Sequence, residues 1–199
     1  MASKNYIIKF LERIPSWGYI LISFVVVVTA GFIEYQMGRQ WICQCGYVKL
    51  WEGIVNSSGN SQHLADWYTF SHIIHGLLFY WFFRTVSRKK LPVLACLVLS
   101  LVLESAWEVL ENTDLIINRY REATISLEYY GDSILNSIAD ILWTGVGFFL
   151  ASRLRVSLSI ILVIILELWV GYLIHDNLFL NIVMLVYPLD VIKDWQMLG

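Results

Sequence analysis

Apolar runs approaching the roughly 20 residues a helix needs to cross about 30 Å of hydrocarbon recur along this chain. In hydrocarbon every backbone polar group must be satisfied internally, so runs of this kind leave a helical bundle as the fold they permit. They cover about 17–37, 68–86, 91–112, 132–152 and 156–174. The fold expected is therefore all-α: a polytopic membrane bundle of about five transmembrane helices within a single membrane domain, 1–199. A further apolar stretch, Leu178 to Leu189, is too short to span and contains Pro188. It reads as an interfacial or re-entrant helix. Of the 199 residues 58% are hydrophobic and 15% charged, an apolar share beyond that of an ordinary soluble domain, and the excess has to face lipid.

The basic residues set the orientation. Lys4, Lys9 and Arg13 precede the first block, Arg88, Lys89 and Lys90 separate the second from the third, and Arg153 and Arg155 separate the fourth from the fifth. If the blocks alternate across the membrane, all three groups fall on one side, as the positive-inside rule requires. The N-terminus is then cytoplasmic in a cell inner membrane, and segments 38–67 and 113–131 form outer loops. The first block is long and continuous, which favours an uncleaved signal anchor over a signal peptide. A net charge of −2 supplies no basic field for nucleic acid, so membrane lipid is the expected partner. Arg119 and Arg121, on the outer side of this arrangement, ask for a separate explanation.

Ionisable residues inside the blocks carry the functional signal, because each costs at least about 2.5 kcal/mol in hydrocarbon unless it faces protein or a wet cavity. His72 and His75 lie three residues apart on one helix face. Glu104, Glu108 and Glu111 stand in the last turns of the third block. Asp132, Asn136 and Asp140 descend one face of the fourth at four-residue spacing. All reach a similar depth near the outer ends of three helices. Imidazole with carboxylates is a recurring ligand set for zinc, iron and manganese, so His72, His75, Glu104, Glu108 and Asp140 are candidate ligands of a divalent metal such as zinc. Glu111 or Asp132 would act as base, and Arg119, Arg121 and Asn136 would bind substrate, a lipid or lipid-linked group at the outer leaflet. A second reading stays open: a hydrogen-bonded polar network that fixes helix register or relays protons in a non-enzymatic transport or assembly factor.

Smaller features have bland readings beside sharper ones. Asp66 caps the second block or extends the site together with His63. Glu167, deep in the fifth block, is a network or proton-relay candidate. Cys43 and Cys45 read as small residues of a folded loop or as a metal or redox pair. Separated by one residue, they are expected not to bridge to each other. The aromatic residues Trp41, Tyr47, Trp51, Trp67 and Tyr68 suit a loop lying at the headgroups.

The run from Gly38 and Arg39 through Trp41, Cys43, Cys45, Gly46 and Tyr47 to Trp51 continues into Ser71, His72, Ile73, Ile74, His75 and Gly76. Glu104, Trp107, Glu108, Glu111 and Asn112 follow, then Tyr130, Gly131, Asp132, Ser133 and Asn136, and Asp176, Asn177 and Pro188 close the pattern. In this order the residues resemble an uncharacterised, UPF-type family of alphaproteobacterial multi-pass inner-membrane proteins. The resemblance covers most of the chain from Gly31 onward. It implies a location and transfers no activity.

Overall fold

Proline sets the entry of two of the long helices. In the computed structural model, which describes residues 2–124 and 126–198, Pro15 separates α1 (Ala2–Arg13) from α2 (Ser16–Gln36) and holds the extended φ/ψ of a helix cap. Pro92 does the same for α4 (Val93–Glu111), which follows α3 (Thr69–Val86). The chain continues through α5 (Asp114–Ala123), α6 (Ile134–Arg153), α7 (Val156–Ile174), α8 (Leu178–Val186) and α9 (Asp190–Gln196). No strand occurs among the described residues.

Helices α2, α4, α6 and α7 are long and apolar enough to cross a membrane. Helix α3, at 18 residues, lies outside that set because His72, His75 and Arg84 interrupt its apolar run. It packs on α6, α4 and α7. Helix α6 is the hub, packing on α2, α3, α4 and α7. Its apolar stretch is 56% buried against 17% in α7, so α6 forms the core and α7 an outer wall. The exposed Ile161, Ile165 and Leu168 of α7, with Leu21, Phe24 and Val28 of α2, make apolar outer faces of the kind lipid covers.

Glycine brings α3 and α6 into backbone contact. A Cβ at Gly76 would run into the Thr144 carbonyl, and one at Gly147 into the Ile73 carbonyl. Small residues at such a crossing let two helices approach closely. The Thr144 hydroxyl then donates to the His72 carbonyl at 3.0 Å. This contact sets the depth of His72 against α6.

Segment 38–67 contains no helix, yet it is tied to the start of α6. Four N–H groups at a helix N-terminus have no partner within the helix. Here Ile134 N–H donates to the Gln40 carbonyl at 2.8 Å and Leu135 N–H to the Trp41 carbonyl at 3.1 Å. Ser133 N–H reaches the Ser61 carbonyl at 3.1 Å, and Asn136 N–H is accepted by the Ser133 side chain at 3.2 Å. The loop closes over the helix end by filling its hydrogen bonds. Trp51, Trp67 and Phe70 pack with Trp169 of α7, with ring centroids 5.0 to 6.3 Å apart. That cluster fastens the other side of the loop to the bundle.

Two expectations need correction. The polar stretch 113–131 contains α5, whose Ile117, Tyr120 and Ala123 are buried at three-residue spacing; interspersed Arg119, Arg121 and Glu122 hid that period in the sequence. The short helix expected over 178–189 is α8, which ends before Pro188 and is followed by α9. Cys43 and Cys45 are bridged to each other. Their Cα atoms are 5.1 Å apart, inside the range disulfides occupy. A turn makes this separation: Gly46 N–H bonds the Cys43 carbonyl at 3.0 Å, and Gly46 takes a φ of +80°, where glycine carries no steric cost.

Candidate functional site

Helix α3 presents His72 and His75 to α4, where Glu104 faces both. His72 Nδ1 lies 2.6 Å from Glu104 Oε1, and His75 Nδ1 lies 3.0 Å from both Glu104 oxygens. One carboxylate thus orients two imidazoles through the same ring position. The Nδ1–H bonds leave the Nε2 side of each ring turned away from Glu104. His72 Nε2 is 3.7 Å from Asp140 Oδ2 of α6, while Glu108 Oε1 is 3.4 Å from His72 Nδ1. The five candidate ligands therefore meet in one place, delivered by three helices.

Glu104, Glu108, Asp140 and His72 are all buried. Glu108 Oε1 and Asp140 Oδ1 nonetheless make no hydrogen bond. Burying such an oxygen without a partner is costly, and buried carboxylates are ordinarily paired or coordinate a metal. Donor atoms of His72, Glu108 and Asp140 lie within 4.8 Å of one another, as do those of His72, His75 and Glu104. Donors held at about 2.1 Å by a tetrahedral ion stand roughly 3.4 Å apart. The 3.7 Å between His72 Nε2 and Asp140 Oδ2 is close to that figure, whereas Glu108 Oε1 lies beside Nδ1, the nitrogen that bonds Glu104. The 2.6 Å contact of His72 with Glu104 is a hydrogen bond instead.

Beside the cluster lies a cavity of about 170 Å³ reached by His72, His75, Glu111, Asp132 and Asp140. Trp107, with Leu178 and Ile182 of α8, forms its apolar side, and Tyr68, Tyr120, Tyr129 and Asn181 supply polar groups. Asp132 precedes the Ser133 cap of α6 and is fixed on both oxygens. Tyr129 Oη donates to Oδ1 at 3.0 Å and Asn112 Nδ2 to Oδ2 at 3.0 Å. The Asp132 N–H returns to Asn112 Oδ1 at 2.7 Å. Burial pushes the Asp132 carboxyl up to about 6, against the opposing pull of the Tyr129 and Asn112 hydrogen bonds. Burial also raises Asp176 to about 6, with the Tyr68 hydroxyl donating to it at 3.0 Å.

Arg119, Arg121 and Asn136 do not join the site. Arg119 Nε donates to the Leu185 carbonyl at 2.8 Å, tying α5 to the end of α8, and Arg121 stacks over the Tyr130 ring at 4.8 Å. Asn136 Nδ2 donates to the His63 carbonyl at 2.9 Å, so its side chain holds the loop. None of the three lines the cavity. Each instead makes a specific protein contact, which outweighs its nearness in sequence to the carboxylates. Asp66 does not cap α3, whose N-cap is Tyr68 without a side-chain bond; it holds the turn before that helix, its oxygens accepting from Ser61 N–H at 2.9 Å and Tyr68 N–H at 2.8 Å. Glu167 closes the turn after α7 in the same manner, accepting from Leu178 and Phe179 N–H at 3.2 and 3.0 Å.

Glu34 stands outside the sequence pattern of the site. This residue of α2 is wholly buried, with neither carboxylate oxygen hydrogen-bonded. A lone acid in an apolar block was the available signal. The three tyrosines of the cavity carry no pattern by which they could have been found, because they come from three separate segments.

A family model described as a protein of unknown function, DUF2585, matches residues 34–198. A UPF0314 protein of Sinorhizobium fredii is 56% identical over 181 residues, 91% of each chain. One from Rhizobium meliloti is 56% identical over 178 residues, covering 89% of this chain and 90% of its own. A more distant UPF0314 protein of Novosphingobium aromaticivorans is 46% identical over 190 residues, 94% of this chain and 96% of its own. No solved structure matches the chain.

Proposed function

The chain belongs to the DUF2585 family of proteins of unknown function, and from that premise we propose that it is a multi-pass inner-membrane enzyme using a divalent metal of the zinc class on a lipid-linked substrate at the outer leaflet. The observation that carries this reading is that Glu108 Oε1 and Asp140 Oδ1 are buried without a hydrogen bond, on two carboxylates that flank the His72 ring from α4 and α6. His72 through Nε2, with Glu108 and Asp140, would hold the ion, and His75 stands alongside. Glu104 orients both rings through Nδ1–H, the carboxylate–histidine arrangement that fixes ring direction at metal sites. When bound, the metal polarises a substrate oxygen and lowers the pKa of an attached water.

Asp132 is the base of choice. It borders the same cavity, and with a pKa of about 6 it is ionised at neutral pH yet basic enough to accept a proton. Glu111 lines the cavity beside it and is the alternative acceptor. No lysine or arginine among the described residues lines the cavity, which favours an uncharged carbonyl over a phosphoryl group as the bond attacked. Leu178, Ile182 and Trp107 suit the first part of an acyl chain. With α3 counted as the second of five spans, the basic residues near the N-terminus, at 88–90 and at 153 and 155 support a cytoplasmic N-terminus and a site under the outer loop.

Glu34 favours one other reading, a proton path without catalysis. From Asp132, Asn112 Nδ2 leads at 3.2 Å to the Ser137 hydroxyl on α6, in the bundle that contains the unbonded Glu34. Elemental analysis of the purified protein separates the two. Near one equivalent of metal in the wild type, lost in Asp140→Ala and His72→Ala variants that still fold, is the expected result. Metal-free wild type after purification without chelator and incubation with zinc would leave the proton path.

A further inference from the structure

The outer loop carries chemistry that the metal reading does not use. Cys43 is buried and Cys45 exposed on the two sides of their turn. The N–H of Cys45 donates to Cys43 Sγ at 3.1 Å, and a ring nitrogen of His63 lies within 4.8 Å of both sulfurs. His63 is itself held in place, its Nδ1 accepting Lys49 N–H at 3.3 Å and its ring stacked on Tyr47 at 5.8 Å. Both cysteines border an outer cavity of about 850 Å³, together with Arg39, Tyr47 and His63.

We propose that Cys43 and Cys45 form a thiol–disulfide exchange couple whose co-reactant is a dithiol reaching the loop from water. Attack falls on the accessible sulfur, and the better-stabilised sulfur leaves. A thiolate of the dithiol bonds to Cys45 Sγ, the Cys43–Cys45 bond breaks, and Cys43 departs as a thiolate held by the Cys45 N–H and the His63 ring. The second thiol of the co-reactant, as its thiolate, attacks its own sulfur of the mixed disulfide and releases Cys45. Two electrons pass to the protein and the dithiol becomes a disulfide. Its two protons end on Cys43 and Cys45. A one-residue spacing suits such a couple, because the small turn that closes the bridge can reopen without moving a helix.

The full-length protein in lipid nanodiscs, with EDTA present, is equilibrated against graded ratios of reduced and oxidised dithiothreitol, trapped with N-ethylmaleimide and weighed intact. Reversible gain of two labels is expected while helical content stays constant, Cys96 remaining unlabelled because it is wholly buried. In Cys43→Ser the exposed Cys45 should form a mixed disulfide with oxidised glutathione at least about tenfold faster than Cys43 does in Cys45→Ser, since buried thiols are inert. A bridge that opens only when the protein unfolds would make it a structural cross-link and overturn the proposal. Equal rates in the two variants would overturn the assigned roles of the sulfurs. Reduced protein that retains one zinc through both cysteines, tested without EDTA, would replace the couple with a metal site. None of these outcomes depends on metal at His72.

Discussion

The carboxylate–histidine cluster and the loop 38–67 above it are both made of polar groups at the end of a membrane bundle, but they are held by opposite means. The cluster hangs on α3, α4 and α6, and its geometry is fixed by backbone contact at Gly76 and Gly147. The loop has no helix of its own and is fixed by hydrogen bonds into the open end of α6. Packing of this kind is close to all-or-none, since interiors tolerate extra volume poorly. Capping divides into increments of about 1 kcal/mol that can be removed one at a time. The cluster should therefore fail abruptly and the loop by degrees.

The comparison breaks most readily at Gly147. Gly147→Val forces a side chain into the Ile73 carbonyl, and α3 must move away from α6. The cost expected is at least about 3 kcal/mol, the upper range for overpacking. Thermal unfolding in detergent should show it as a large loss of midpoint or as no folded protein. Gly145→Ala is the control on the same helix: its added Cβ would meet nothing closer than Leu101 Cδ2 at 3.9 Å, so the midpoint should hardly change. Comparable losses in both variants would mean that α6 resists any substitution and that the close crossing is not special.

This difference also explains what was legible in the sequence. Spacing of His72 with His75, and of Glu104, Glu108 and Glu111, could be read because a helix turns spacing into direction. The convergence of the five ligand candidates follows from three such faces. The roles of Arg119, Arg121 and Asn136 could not be read, because each depends on which carbonyl a folded-back segment brings near it. Helix α5 was obscured for a related reason: only three buried positions face inward, and its polar residues dominate its composition. The Cys43–Cys45 bridge depends on a turn whose geometry rests on Gly46, and one-residue spacing taken alone argued against it. Glu34 stood in plain view and lacked only a partner in the pattern.

A smaller effect tests the boundary between the two regions. Asp132 sits where the loop meets the cluster, and its folded pKa of about 6 lies above the ordinary value of 3.8. A raised folded pKa contributes stability that is fully present below the unfolded value and is lost as pH rises through the folded one. Wild-type stability relative to Asp132→Asn should therefore fall between about pH 4 and pH 7, by on the order of 2 to 3 kcal/mol for a shift of about two units. Denaturation midpoints for both proteins across that range would measure it. A constant difference would mean that Asp132 titrates alike in folded and unfolded chains. If Asp132 is the base, activity should rise across the same interval in the wild type, opposite in direction to stability.

The finest test lies in the loop's individual bonds. Asn136→Ala removes the side-chain bond to the His63 carbonyl and Ser133→Ala removes the N-cap acceptor of Asn136 N–H. Each should cost about 1 kcal/mol. Because the backbone bonds from Ser133, Ile134 and Leu135 to the loop carbonyls remain, neither variant should release the loop outright. Hydrogen exchange should report a few-fold faster opening of the amides of Ser61 and Leu64, which are bonded within the loop, while amides of α3 and α4 at the cluster keep their protection. The double variant should open the loop further, by about the sum of the two costs if the bonds act independently. Loss of protection at His72 or Glu104 in either single variant would contradict the division, because it would mean that the loop supports the cluster as well as covering it.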